Sequence, residues 1–325
     1  MRLSKNTIIA FAQETAYGQL PSFDYSTGAL LVERGELSIL QDTTNYEPLR
    51  KEFGVKDVYV SGIHAQLEFD IVLKGDGVDG SGNVTEPQIG KLLEACMFNK
   101  QENVSEGITV GWTYTTGNGI VGVDFPSVAF EVYVAGNNSQ ADKYTLVGCV
   151  GTFRLTATAG RYPTLTFTFL GKLYSDPETV SIPAVSYPQT EPVPLEGINF
   201  TFGGYGFCVN ELTIELGNRT AVRRCLSEAN SVAGTIITGR ETTGSIDPEA
   251  VFESDFPVFS KMKSGDVLTM SMTIGSEAGN KVTVSSDNVK IRELRFGDRD
   301  GIAIQDISLT FIQPDGGSEL MIKFE

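Results

Sequence analysis

The chain has 325 residues, 41% of them hydrophobic, and its 25 Lys and Arg against 41 Asp and Glu leave a net charge of −16. That length suits two domains, and that apolar share fills a real core, which excludes disorder as the default. The charge excludes a grip on nucleic acid or on an anionic membrane, because holding phosphates takes Lys and Arg. DNA passing an acidic wall without sticking stays open.

The chain starts MRLSKNTIIAFAQETAYG, a basic tip followed by an apolar run at residues 8–12. A secretory core needs about seven to fifteen apolar residues, and a membrane helix roughly twenty. The expectation is a soluble protein made in a cytoplasm. Residues 36–39 read ELSI, and a long polar stretch, 41–62, follows them. In the strand 64–73, Ala65, Leu67, Phe69 and Ile71 share one face, and His64, Gln66, Glu68 and Asp70 share the other. The same period of two marks residues 153–157, 165–169, 212–216 and 307–311, as in antiparallel sheets with one wet face. Helical spacing of Ile89, Leu92, Leu93 and Cys96 after Pro87 predicts a short helix within 86–98, and a weaker signal covers 247–262.

ELSI returns as ELTI at 211–214, 175 positions later. Each copy is followed by a polar stretch (41–62, 217–239), a helix signal and two closing strands in the same order. The longer first copy has Gly-rich insertions at 74–86 and 100–143. Four elements in one order argue for a duplicated fold. Between the copies Pro177, Pro183, Pro188, Pro192 and Pro194 make a stiff extended joint. The expected class is mainly β, with two tandem sandwich or barrel domains, each with a short helix: arm 1–28, first domain 29–177, Pro-rich linker 178–194, second domain 195–325.

Nothing in the pattern spells catalysis, a metal or a cofactor. His64, the chain's one histidine, stands in an alternating strand and is expected on a solvated face, as are Glu68 and Asp70. The segment 75–83 lacks an EF-hand glutamate and reads as a hairpin loop. Gly203–206 has no Gly-Lys-Ser/Thr after it. Trp112 with Tyr114 suggests core more than a sugar platform. Cys96, Cys149, Cys208 and Cys225 form no CxxC; a Cys208–Cys225 disulfide is conceivable, but buried free thiols are the expectation.

In order along the chain, QETAYG at 13–18 leading to ALLV at 29–32, the strand 66–73, the helix 89–98, the GTF…G..P…F.F.G block at 151–171, the proline joint and GRETTGSIDPE at 239–249 together resemble the major tail tube proteins of long-tailed (siphovirus-type) phages, in the kind with a doubled tube domain. The resemblance implies a structural virion protein with no catalytic residues. It implies trimeric rings, each chain supplying two of six tube domains, stacked into a conduit for DNA ejection. Implied partners are other copies, the tape measure protein, the tail terminator and the distal tail protein, with DNA passing unbound and no membrane involved. Glu68, Asp70, Glu241, Asp247 and Glu249 are the expected lumen carboxylates. The resemblance makes the polar stretches 41–62 and 217–239 loops that reach the next ring and residues 1–28 an arm that assembly orders, and Arg50, Lys51, Lys56, Arg219, Arg223 and Arg224 on the two stretches are the expected ring-stacking cations. Competing readings are a single-domain contractile-type tube, which is commonly half this length, a baseplate-hub protein with tube-like domains, and a secreted β-sandwich binding module, which would want a signal peptide and paired cysteines.

Overall fold

The structure, a computed structural model, describes residues 6–134, 136–137 and 139–325. The strands are β1 (Ile8–Gln13), β2 (Ala29–Leu30), β3 (Arg34–Tyr46), β4 (Asp57–Val72), β5 (Phe98–Ser105), β6 (Ile108–Thr116), β7 (Val128–Val134), β8 (Gln140–Thr158), β9 (Thr164–Leu173) and β10 (Glu178–Ser181) in the first half. The second half holds β11 (Asn199–Phe202), β12 (Val209–Glu215), β13 (Asn218–Arg224), β14 (Val232–Arg240), β15 (Thr243–Pro248), β16 (Leu268–Ile274), β17 (Val282–Arg299), β18 (Ile302–Phe311) and β19 (Met321–Phe324). Helix α1 (Gln88–Glu94) precedes β5, and α2 (Val258–Ser264) precedes β16. The protein is mainly β, of the sandwich class.

Pairing repeats between the halves. In the first, β3 pairs β4, β4 pairs β9 and β9 pairs β8. In the second, β12 pairs β15, β15 pairs β18 and β18 pairs β17. The N-terminal parts of β8 and β17 turn away at bulges, between Val147 and Val150 and between Ile291 and Glu293, into a second layer. There β1–β7–β8 matches β11–β16–β17, and β10 and β19 close back onto the starts of β8 and β17. A bulge bends its strand, which lets one long strand serve both layers. Unit one alone carries the β5–β6 hairpin, which pairs with β19.

Burial follows the alternation. Leu67, Phe69, Phe167, Phe169, Ile214 and Ile307 are fully enclosed, and Phe69 stacks on Phe167 and Phe169 with centroids 5.6 and 6.0 Å away. Helix α1 presses Ile89, Leu92 and Leu93 into this core, with Pro87 at its N-cap. A Cβ on Gly90 would collide with the Tyr114 hydroxyl, so the close approach requires glycine. Helix α2 begins at Val258, later than its sequence signal, and ends on left-handed Gly265 (φ 70°).

Several expectations change. Part of the arm is a strand: β1 pairs along β7 and buries Ile9 and Phe11. Next to it the Glu14 carboxylate accepts from Gly18 N, Ser127 Oγ and Gly148 N, and burial pushes its pKa up. The tip, residues 1–5, lies outside the described residues. The polar stretches 41–62 and 217–239 are largely paired strand, not loop. The β3–β4 stem is wet on both faces over much of its length, so no buried stripe betrays it, whereas the β13–β14 stem is half-buried against unit one. The region 100–143 supplies β5, β6 and β7; β7 is enclosed on both faces, hence its unbroken apolar run around Glu131. The proline segment contributes β10. Beyond it, the segment is tied down by Ser186 N to Tyr25 O (3.1 Å) and Asn280 Nδ2 to Glu191 O (2.9 Å). Cys96 and Cys149 are buried thiols, but Cys208 and Cys225 are exposed and unbridged.

Candidate functional site

The inner layers of the two units join. Strand β12 pairs antiparallel with the end of β8, Leu212 opposite Ala157 and Ile214 opposite Leu155. The result is one eight-stranded sheet in the order β3-β4-β9-β8-β12-β15-β18-β17. Its face away from the core is polar across both units. A single row runs Arg34, Asp70, Thr166, Arg154, Glu215, Thr243, Thr310, Lys290 from edge to edge. Thr152, Thr156, Thr164, Thr168 and Thr213 fill neighbouring rows. Carboxylates outnumber cations on this face: Glu36, Glu68, Glu211, Glu293 and Asp306 join Asp70 and Glu215, against Arg34, Arg154, Lys290 and Arg295.

Of the expected lumen residues, Glu68 and Asp70 stand on this face, both paired with Arg34, whose Nε donates to Asp70 at 3.1 Å. Asp247 is on the same face but half-buried, accepting from Asn210 N (3.0 Å), Glu211 N (2.6 Å) and Arg299 Nη1 (2.7 Å). It fastens the strand junction. Glu249 lies past the end of β15, bonded through its backbone to Cys208. Glu241 stands at the root of the β13–β14 hairpin, 2.8 Å from Arg219. So a lumen candidate and a stacking candidate form one ion pair. The alternating pattern of ELSI and ELTI already held Glu36, Glu211 and Glu215; Glu293 and Asp306 were legible only through pairing. Contrary to expectation, His64 is buried, its Nδ1 2.7 Å from Gly62 O, because β14 and the turn Ala229–Ser231 pack over that end of β4.

The stacking candidates divide. Arg50, Lys51 and Lys56 are on the projecting tip of the β3–β4 hairpin, with Lys56 over the Tyr46 ring at 5.4 Å. Arg219, Arg223 and Arg224 are on β13, which folds back over unit one, and Arg224 pairs with Asp42 at 2.6 Å.

A family model described as "Phage tail tube protein" matches residues 4–318. The chain belongs to the phage tail tube protein family. A search of curated proteins found no match. A tail tube protein is a structural component of the virion tail that self-assembles into a tube with other tail proteins, and the family is not an enzyme family.

Two strand edges of the eight-stranded sheet are left open. Among the described residues, β3 has no partner on its outer side, and neither does β17 beyond Val289 on the side away from β18. These are the counterparts of β12 and β8, which pair with each other inside the chain. At that internal junction Ile214 and Leu155 are 0% and 1% exposed; on the free edges Ile39, the counterpart of Ile214, is 41% exposed and Phe296 is 75% exposed.

Proposed function

We propose that the chain forms the wall of the tail tube as rings of three copies, in which the β17 edge of one copy pairs with the β3 edge of the next. The observation that carries this is the internal β8–β12 junction. A sheet edge with unmet amides and exposed apolar groups is an aggregation hazard unless something covers it. Here the chain already shows what covers the equivalent edge. Transferring the internal register puts Ile39 opposite Asp298 and diagonal to Phe296. Three copies would then close about 24 strands into one barrel, wide enough for an aqueous channel.

The polar face would line that channel. Its carboxylates and threonines offer a DNA backbone little to hold, so DNA slides through during ejection. On this reading each copy contributes two tube domains, as the duplicated strand order supports. The first takes in β1 and β10 and the second starts near residue 195, leaving a linker at 182–194. The siphovirus-type tail and the partners already named, tape measure, terminator and distal tail proteins, follow from the same reading, as does synthesis in the host cytoplasm.

Negative-stain electron microscopy of the purified, concentrated protein tests it. Rings or hollow tubes with three-fold units are expected. A protein that stays monomeric, even with its tail partners, would refute the tube wall and favour a hub role.

A further inference from the structure

The two long hairpins have different fates in the single chain. The β13–β14 hairpin lies across the junction onto unit one. Thr235, fully buried, donates its hydroxyl toward Gly148 O (2.6 Å) and Leu170 O (3.0 Å). Asn218 Nδ2 reaches Cys96 O and Gly151 O, both at 2.9 Å. Ile237 packs on the cluster of Met97 and Val150. The β3–β4 hairpin projects instead, with Phe53, Val58 and Tyr59 exposed.

Counterparts can be matched through the strands. Val58 precedes Leu67 by the same interval that separates Ile237 from Ile246, and Leu67 and Ile246 hold equivalent rows of β4 and β15. Likewise Met97 follows the end of α1 as Val267 follows the end of α2. Met97 is 8% exposed beneath Ile237, whereas Val267 is 54% exposed. The free hairpin thus has an apolar residue without a seat, and unit two leaves Val267 uncovered at the position of Met97, with Glu293 where unit one has Val150. Within one chain they cannot meet by the internal geometry, because the operation that relates β13–β14 to unit one carries β3–β4 onto the unit beyond the β3 edge.

We propose that the β3–β4 hairpin of each copy laps over the second unit of its neighbour in the same ring, seating Val58 against Val267 beside α2. This rests on the ring reading above. It makes the hairpin an in-ring clasp, with the basic tip at Arg50, Lys51 and Lys56 carried past the seam. Burying the exposed apolar groups of both sides would add to the strand pairing at each seam.

The test is a Val58→Cys/Val267→Cys chain in a Cys208→Ser/Cys225→Ser background, oxidised as single rings before stacking. Both paired positions are exposed in the lone chain, so folding is preserved, and each single-cysteine chain is the control. The expected result is cross-linked dimers and closed trimers, with the 58–267 linkage in the peptide map, and slowed amide exchange across 57–60 on ring formation without any substitution. Rings that form normally but give no cross-link, or a cross-link only in stacked tubes with ladders beyond the trimer, would overturn the lap and leave the ring intact. A wild-type chain that never forms rings would overturn both.

Discussion

Replacing Phe296 by serine separates assembly from folding. The side chain is 75% exposed in the lone chain, so its loss should move the unfolding midpoint of unassembled protein by less than about 0.5 kcal/mol. At the proposed seam it becomes covered by the neighbour's β3, next to Ile39. Burying a phenylalanine is worth about 1.5–3 kcal/mol. Each seam should therefore weaken by roughly ten- to a hundredfold, since about 1.4 kcal/mol is tenfold. A closed ring of three seams would lose about 5–9 kcal/mol on the same scale. The control is Ile214→Ala at the internal junction, where the side chain is fully buried; removing it should cost the fold about 2–5 kcal/mol. Denaturant unfolding of dilute protein and light scattering against concentration read the two effects. The reasoning fails if Phe296→Ser assembles at the wild-type concentration, or if it destabilises the single chain as Ile214→Ala does.

Three further outcomes follow from the same geometry. Arg240 and Glu319 pair at 3.1 Å with side chains only 6% and 8% exposed, and Arg240 Nη1 also donates to Gly117 O. Arg240→Met should cost about 3–5 kcal/mol by stranding the carboxylate, and Arg240→Met/Glu319→Leu should recover much of it, both read by chemical denaturation. Burial raises the pKa of Asp76, whose carboxylate accepts from Gln88 N at 2.6 Å. A raised carboxyl contributes stability that is full below its unfolded value, near pH 4, and lost as pH rises through the folded value. Asp76→Asn should therefore gain on the wild type between pH 4 and pH 7; a flat or opposite difference would contradict this. Neutralising the polar face with Glu36→Gln, Glu68→Gln and Asp306→Asn should give assembled tubes measurable DNA retention in filter binding at low salt that disappears at high salt.

Much of this was legible in the residues. One-face burial of β4, β9, β12 and β18 wrote a clean period of two, and ELSI and ELTI mark the counterpart edge strands β3 and β12. What failed to show was whatever depended on a distant partner. His64 looks wet in its strand, and it is buried only because β14 crosses above it. Strand β7 hides because both its faces are covered. The β3–β4 stem hides for the opposite reason. The acidic face was half visible, since Glu68 and Asp70 alternate with core residues, while the role of Arg34 between them needed the register. The junction Asp247–Arg299 likewise spans 52 positions that no local pattern connects.

The central claim is that the seam between copies repeats the seam inside the chain. A cryo-electron microscopy map of the assembled protein tests it directly. The account predicts three chains per ring, with β3 of each hydrogen-bonded antiparallel to residues 295–299 of the next and Ile39 packed beside Phe296. A ring or tube in which β3 and β17 remain open to solvent would contradict it.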